Sequence, residues 1–168
     1  MTAPFALIAR ALRNGHSEDW HCGAAAVVTH GGELIGRIGD PGVRVFLRSV
    51  AKPFQAVPLV RAGGIERFAL EPADLAVICA SHFGTAEHEA QVASLLERAG
   101  CAPEDLQCGV HPPFDSGVRE GMRERGESPR VLQNNCSGKH AGMLCACRLL
   151  DLPIDGYLDP GHPLQRKI

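Results

Sequence analysis

The chain has little of what nucleic-acid-binding and membrane-spanning proteins need. Its 168 residues carry a formal net charge of -2, contain no run of basic residues, and include one Trp and one Tyr. Binding to the phosphates of a nucleic acid requires clustered positive charge, and stacking on its bases requires aromatic side chains. The chain has little of either. No apolar run reaches the ~18 residues that a membrane span needs, and the first residues lack the basic-then-apolar pattern of a signal peptide. The sequence predicts no nucleic-acid partner, no membrane partner and a cytoplasmic location.

Paired-cysteine patterns are also missing. The chain has seven cysteines, an odd number, at scattered positions that include no C-x-x-C pair. This pattern argues against a disulfide framework and against a zinc ribbon. Cys145 and Cys147 would point about 200° apart on a helix, which makes them a poor chelating pair. We expect most of the cysteines to be free thiols that fill space in a core.

The first part of the chain, residues 1–47, has the pattern of β-strands. An apolar stretch over 23–30 and a β-branched stretch over 33–38 flank Gly31-Gly32, which predicts a hairpin. The turn-forming residues 39–42 precede a third apolar stretch over 43–47. The simplest arrangement of these segments is an antiparallel meander.

The remainder, residues 48–168, has the pattern of helices. One helix is expected from Ser49, with Pro58 kinking or ending it and Gly63-Gly64 ending it at the latest. Residues 161–166 look like the start of a further helix, with a proline at its first position. Taken as one domain over 1–168, the chain is predicted to have an α+β fold. The other predicted helices cover 72–80, 86–99, 103–106, 116–125 and 137–150.

Ser49 and Lys52 form a Ser-x-x-Lys pair directly after a strand-like stretch. Residues three apart share one face of a helix, which brings a hydroxyl within reach of an amine. A serine hydroxyl becomes a useful nucleophile when a neighbouring base takes its proton, and a lysine whose pKa is lowered can be that base. The alternative is that Ser49 caps the helix and Lys52 is solvated.

Three motifs follow one another along the chain: Arg48-Ser49-Val50-Ala51-Lys52-Pro53, Ala80-Ser81-His82-Phe83-Gly84 and Asn135-Cys136-Ser137-Gly138-Lys139-His140-Ala141-Gly142-Met143-Leu144. In this order they resemble the Rhizobium-type L-asparaginase II family, and the likeness extends to 20–23 and 162–165. The resemblance therefore covers nearly the whole chain, and the third motif is the most specific of the three.

The resemblance implies a β-lactamase-like or penicillin-binding-protein-like fold, in which an antiparallel hairpin region precedes a mostly helical region. Family members run to about double this length, so the resemblance implies that the chain matches their N-terminal half and is incomplete at its C-terminus. The sheet of such a fragment would have an unpaired edge, which favours a homo-oligomer such as a homodimer, or a complementary C-terminal half as partner. On this reading the isolated chain should hydrolyse asparagine very poorly.

The implied reaction is hydrolysis of L-asparagine to aspartate and ammonia. Ser49 would be the nucleophile and Lys52 its base, while Ser81 would pass the proton to the departing ammonia. Alternatively, the Ser81 hydroxyl would donate a hydrogen bond to the last carbonyls of the preceding helix. His82 would alternatively be a structural histidine near a helix end. The substrate-binding residues expected from these motifs are Arg48, His82, Gly138 and His140.

Zinc is the cofactor that the resemblance implies, with Cys136 and Lys139 as ligands and a further thiolate beyond this half. From spacing alone, Cys136 and His140 at i and i+4 are the more ordinary metal-binding pair. Two ligands do not make a closed zinc site, so zinc binding by this chain alone is expected to be weak. A buried thiol at a helix start is the alternative.

Two other functional readings stay open from sequence. The chain could be a truncated or split fragment that has no activity without a complementary chain. It could also be another Ser-x-x-Lys acyltransferase, although it lacks the Ser-Asp-Asn and Lys-Thr-Gly motifs of penicillin-recognising enzymes.

Overall fold

The computed structural model describes residues 4–168 and divides the chain into two compact units between Phe46 and Leu47. The first unit contains strands and the second contains helices, so the fold class is α+β. No helix in the described range is both long enough and apolar enough to cross a membrane.

Two antiparallel hairpins make up the first unit. Strands β1 (Ala6–Arg13) and β2 (His16–Gly23) form one two-stranded sheet. The connecting residues Asn14 and Gly15 have φ angles of 49° and 81°, as a type I′ turn requires, and Asn-Gly is a preferred sequence for that turn. The sequence analysis did not predict this hairpin, although Asn14-Gly15 was a signal for it.

The second hairpin is the predicted one. Strands β3 (Ala25–Val28) and β4 (Leu34–Ile38) pair antiparallel, and Gly32 in the loop has a φ of 88°. The prediction of a third strand over 43–47 was wrong. Within the described chain, the backbone of 43–47 pairs with no strand, and its Val43 N–H closes a turn on the Asp40 carbonyl at 3.2 Å. An apolar stretch becomes a strand only where a neighbouring strand takes up its backbone hydrogen bonds.

Six α-helices form the second unit, with short 3₁₀ turns at Arg48–Ala51, Pro103–Asp105 and Val131–Gln133. Capping residues explain several of the helix starts, such as Asp115, whose side chain accepts the Val118 N–H at 2.8 Å. A glycine in left-handed conformation, Gly126, ends the same helix. The helices are α1 (Lys52–Arg61), α2 (Gly64–Arg67), α3 (Pro72–Cys79), α4 (Ala86–Arg98), α5 (Ser116–Arg125) and α6 (Ser137–Leu149).

Two predictions within this unit concern Pro58 and residues 161–166. A kink at Pro58 stays a prediction, but the proline does not end α1, which continues to Arg61. It is the seventh residue of α1, so the helix loses one backbone donor there and keeps its packing against α3 and α6. Residues 161–166 form hydrogen-bonded turns rather than a helix, because the short segment builds no continuous ladder.

Helix α6 is the centre of the helical unit and packs against α1, α3 and α4. Ten of its residues are buried, including an uninterrupted run from His140 to Cys147. Gly138 and Gly142 face α3: a Cβ on Gly138 would overlap the Val77 carbonyl, and one on Gly142 would lie 2.8 Å from Ile78. The two glycines therefore allow the close approach of α6 and α3 on which the site depends.

A buried ion pair joins the ends of α3 and α4. The Asp74 carboxylate accepts hydrogen bonds from Arg98 at 2.5 Å, from the Glu71 backbone at 2.8 Å, and from Gln91. Arg98 also donates to two backbone carbonyls in the loop before α3. Burial alone would raise the pKa of Asp74, but the hydrogen bonds and the Arg98 charge outweigh it and the pKa lies below its ordinary value.

Candidate active site

The Ser-x-x-Lys pair lies where a 3₁₀ turn becomes a helix. Ser49 is in the turn, and Lys52 is the first residue of α1. Arg48 has a φ of 51°, a left-handed conformation that is unfavourable for a residue with a Cβ. The Ser49 side chain is exposed, and its hydroxyl makes no hydrogen bond to any other residue of 4–168. A strained residue thus precedes a hydroxyl with no protein partner.

Lys52 is 3% exposed, and its amine is held by three oxygen atoms. Its Nζ donates to the Ala80 carbonyl at 2.6 Å, to Ser81 Oγ at 2.9 Å and to the Asn135 carbonyl at 3.4 Å. These three acceptors match the three hydrogens of an ammonium group. They fix the end of the lysine side chain at the point where all three motifs meet.

Ser81 lies in the loop that follows α3. Its hydroxyl accepts from Lys52 and, within residues 4–168, makes no hydrogen bond to a carbonyl of α3, which is what the alternative role requires. The loop is held at two places: the His82 N–H donates to the Asn135 carbonyl at 3.2 Å, and the Phe83 carbonyl accepts the Asp115 N–H at 2.9 Å. The position of Ser81 therefore depends on the segment that precedes α6.

A depression of about 220 Å³ collects residues from two of the motifs. It is lined by Arg48, Ser49, Lys52, Gln55, Cys136 and Lys139. A larger cavity of about 460 Å³ between α3 and α4 includes Ser81 and His82 but neither Ser49 nor Lys52. The smaller depression is the better candidate for a reaction site, because Ser49 and Lys52 both line it.

His82 is 2% exposed and is occupied within the protein. The Gly84 N–H donates to its Nδ1 at 3.2 Å, which leaves the proton on Nε2, and Nε2 lies 2.8 Å from Ser137 Oγ. Ser137 donates in turn to the Leu132 carbonyl at 2.8 Å. Burial, together with nearby His88 and Lys52, lowers the pKa of His82 to about 4. The ring is therefore neutral and has no nitrogen free for substrate, so it joins the Ser81 loop to α6 instead.

Gly138 and His140, the other expected substrate-binding residues of the third motif, are also buried. Gly138 lies against Val77, so close packing accounts for it. His140 Nδ1 is 2.7 Å from the Tyr157 hydroxyl, and burial, with the charges of Lys139 and Lys52, lowers the pKa of His140 to about 3. Of the four expected substrate-binding residues, Arg48 alone lines the depression with Ser49.

Cys136 and Lys139, the zinc ligands that the family resemblance implies, both line the depression. Burial, with a smaller contribution from Lys52, holds the pKa of the Lys139 amine below its ordinary value. However, residues 4–168 contain no cluster of three or more His, Cys, Asp or Glu side chains that could hold a metal ion. The donors present are too few for a closed zinc site, which takes four ligands.

The sequence analysis assigned no role to Asn134 or Asn135, which shape this region. The Asn134 side chain donates to the Cys108 carbonyl at 2.9 Å and accepts the Cys136 N–H at 2.8 Å. The Asn135 carbonyl is shared by Lys52 and the His82 N–H, and its side-chain oxygen lies 3.0 Å from His111 Nε2. Asn135 opens the third motif and Asn134 directly precedes it, and this position was the only signal that could have indicated them.

The sequence was compared with known protein sequences and with protein-family profiles. No curated protein sequence matches the chain significantly. The profile of the family described as L-asparaginase II matches residues 9–168, a range that includes all three motifs and the residues of both cavities. Because that match spans nearly the whole chain, the protein belongs to the L-asparaginase II family.

Proposed function

We propose that this chain is an amidohydrolase that converts L-asparagine to aspartate and ammonia through an acyl-enzyme on Ser49. Family membership supports the reaction class. The observation that carries the assignment of residues is the 2.9 Å hydrogen bond between Lys52 Nζ and Ser81 Oγ, beside a depression that Ser49 lines. We further propose that the fold is β-lactamase-like, as the order of the hairpins and the Ser-x-x-Lys helix suggests.

In the first half of the reaction, the Lys52 ammonium first gives one proton to solvent. Ser49 Oγ then attacks the carbon of the side-chain amide, and its proton passes to the Lys52 amine. The carbon–nitrogen bond then breaks. The nitrogen receives the proton from Lys52 by way of the Ser81 hydroxyl and leaves as ammonia. An ester between Ser49 and the aspartyl group remains.

In the second half, a water molecule attacks the ester carbon and gives its proton to Lys52. The ester carbon–oxygen bond breaks, Ser49 Oγ takes a proton back from Lys52, and aspartate is released. Lys52 acts as base and then as acid in both halves. The hydrogen bond to Ser81 provides the relay in this scheme.

Association with another polypeptide is a second proposal. Each sheet in the described range has two strands, so both of its edges are open, and isolated two-stranded hairpins are marginal in water. We propose that a second copy of the chain, or a complementary segment of a longer asparaginase, pairs with these strands. Light scattering at several concentrations should give a mass above 17.9 kDa; a monomer at every concentration would exclude the second copy.

Ammonia release from L-asparagine tests the reaction. Ser49→Ala should abolish turnover, and Lys52→Met and Ser81→Ala should each reduce it by about 10²–10⁴-fold, the usual contribution of positioned acid–base groups. Ser128→Ala, at an exposed loop residue, is the matched control and should leave the rate unchanged.

Mass spectrometry of the chain treated with an electrophilic asparagine analogue tests the nucleophile where turnover is slow. The label should appear on the Ser49 peptide and be absent from Ser49→Ala. Label on another serine, or full turnover by Ser49→Ala, would refute the proposed role of Ser49.

A further inference from the structure

The larger cavity, between α3 and α4, shares one residue with the proposed reaction. That residue is Ser81, which lines the cavity and accepts a hydrogen bond from Lys52 Nζ at 2.9 Å. Within residues 4–168, the Ser81 hydroxyl donates its own proton to no acceptor. In the proposed reaction this proton goes to the nitrogen of the departing amine, so that nitrogen lies beside the part of the cavity wall that Ser81 forms.

The walls of this cavity are largely apolar. Four small side chains from α3 and its C-terminal cap form one side, and Phe83, which is 58% exposed, lies beyond them. Residues at spacings of three and four share one face of a helix, and side chains this short leave space instead of filling it. The four are Ala73, Ala76, Val77 and Ala80.

The polar side chains on the walls are mostly bonded within the protein. Both ring nitrogens of His82 have partners, and His88 Nδ1 lies 2.7 Å from Thr85 Oγ1. The Gln91 amide donates to the Asp74 carboxylate. A polar ligand would lose water here without gaining many hydrogen bonds in return, which is unfavourable. The cavity therefore suits an apolar group.

We propose that this cavity receives a substituent on the amide nitrogen of the substrate, and that the chain also hydrolyses side-chain amides of aspartate with an apolar group on that nitrogen. The inference rests on the proposed function and adds a class of substrate to it. The nitrogen that takes its proton from Ser81 is the atom that bears the substituent, so the substituent extends into the space that Ser81 lines. Unsubstituted L-asparagine would leave this space unused.

The size of the cavity is sufficient for an aromatic ring. An apolar cavity of about 150 Å³ is enough to hold benzene, and this one has a volume of about 460 Å³. The exposed Phe83 ring on the wall also offers an aromatic surface, and aromatic pairs attract each other beyond their burial of area. A benzyl group is therefore a suitable probe.

The chemistry is that of the proposed reaction with a different leaving group. Ser49 Oγ bonds to the amide carbon, and the carbon–nitrogen bond breaks. The nitrogen takes one proton by way of Ser81 and leaves as a primary amine. Water then cleaves the ester and releases aspartate. One amide and one water thus give one aspartate and one amine, with no further reactant.

Charge at the cavity selects among substituents. Of the described residues that line it, Glu87 alone has a carboxylate. Its side chain is exposed, and a hydrogen bond from Thr85 lowers its pKa, so it is ionised at neutral pH. Like charges repel, so a neutral substituent should be preferred to an anionic one.

Aspartate release from amides of different size tests the proposal. The β-benzylamide of L-aspartate should have a kcat/KM of at least about one tenth of that for L-asparagine, since the cavity accepts the ring. A ratio below one tenth would overturn the proposal. The β-(4-carboxybenzyl)amide should react more slowly than the benzylamide, and Glu87→Gln should narrow that difference. An anionic substituent accepted as well as the neutral one would overturn the assignment to this cavity.

Variants that fill the cavity locate the effect. Ala76→Leu and Ala73→Leu, both at exposed positions of α3, should each lower kcat/KM for the benzylamide about tenfold or more and that for L-asparagine less than about threefold. Ala90→Leu, at an exposed position of α4 outside the cavity, is the matched control and should change neither. Circular dichroism confirms that each variant is folded. If Ala76→Leu changes the ratio of the two substrates no more than Ala90→Leu does, the proposal is wrong.

Binding to the Ser49→Ala chain separates this inference from the proposed function. Isothermal titration should show the benzylamide binding about tenfold more tightly than L-asparagine, a difference of about 1.4 kcal/mol, and adding Ala76→Leu should remove the difference. If the benzylamide binds in this way but neither compound is hydrolysed by the parent chain, the cavity assignment stands and the proposed reaction fails. If asparagine is hydrolysed while the benzylamide neither reacts nor binds more tightly, the reaction stands and the cavity assignment fails.

Discussion

The strand unit and the helical unit differ most in burial. No described residue of 4–46 is buried, and Phe46 at the boundary is 96% exposed. Every residue of the hydrophobic core lies between Ala56 and Leu164. The helical unit therefore has a core of its own, whereas the hairpins have regular backbone pairing and no core. Regular secondary structure and stability are separate properties, because stability requires removal of apolar area from water.

The proposed catalytic residues all lie in the unit that has the core. Ser49, Lys52 and Ser81 belong to the helical unit, where α6 fixes the segments around them. A site that needs groups held within about 0.5 Å of the right geometry has to be built on packed elements. We therefore expect changes in the helical core to affect the site and changes on the hairpins to leave it largely intact.

The largest effect is expected from the buried ion pair. Asp74→Ala should destabilise the helical unit by about 3–5 kcal/mol, because it leaves the partly buried Arg98 charge without its partner. Urea unfolding measures the loss, and amide exchange should show it in α3 and α4 but not in β1 and β2. Glu120→Ala, in the exposed pair with Arg123, is the control and should change stability by less than about 1 kcal/mol.

Acidification should destabilise the helical unit next most strongly. The folded chain keeps His82 neutral down to its pKa of about 4, whereas the unfolded chain takes up the proton near the ordinary value of 6.5. Stability is therefore fully present above pH 6.5 and falls as the pH drops towards 4, by up to about 3 kcal/mol for this residue. His140, with a pKa of about 3, adds a loss of the same sign.

Urea unfolding between pH 7 and pH 4 checks this dependence. His82→Gln should make the dependence on pH shallower, whatever it does to stability at pH 7. His30→Gln, at an exposed position in the strand unit, is the control and should leave the pH dependence of stability unchanged. An identical pH dependence in the His82→Gln variant would contradict the buried neutral ring.

A smaller effect is expected at the contact between α6 and α3. Gly138→Ala should destabilise the chain by roughly 1–3 kcal/mol, since its Cβ meets the Val77 backbone, which cannot move aside as a flexible side chain can. Gly121→Ala in α5 meets only the end of the Arg125 side chain and should stabilise by up to about 1 kcal/mol. Thermal unfolding of the Gly138→Ala and Gly121→Ala variants measures the expected loss and the expected gain of stability. A Gly138→Ala variant as stable as the parent would mean that the two helices pack less closely.

The smallest effect concerns backbone strain at Ala69, which has a φ of 46° and an exposed side chain. Ala69→Gly should raise stability by about 0.5–1 kcal/mol, because glycine adopts this conformation without a Cβ clash. Ala86→Gly, at an exposed position in the first turn of α4, should lower stability by a similar amount. Loss of stability in both variants would show that Ala69 is not strained.

Much of the helical unit could be predicted from the sequence. Helix α5 was predicted with both of its ends, and α6 to within one residue, because Gly126 and the residues around Ser137 are strong local signals. The first hairpin was missed although Asn14-Gly15 indicated it. The third strand was predicted wrongly, because an apolar stretch does not reveal whether a partner strand exists.

The candidate site was predicted in part. The spacing of Ser49 and Lys52 suggested that the two act together, and both do line one depression. The spacing could not show that the Lys52 amine bonds to Ser81 rather than to Ser49. Nor could it show that His82 and Gly138 are occupied by packing and hydrogen bonds within the protein, since these contacts come from segments more than fifty residues apart.

The sequence by itself determined the family, the order of the three motifs and the local starts and ends of most helices, because these depend on neighbouring residues. Only the tertiary structure decided which polar groups face one another. Lys52 meets Ala80, Ser81 and Asn135 because α6 approaches α3 closely enough, at two glycines, to bring three distant segments to one amine. That approach is a property of packed surfaces, and spacing along a single chain segment carries no information about it.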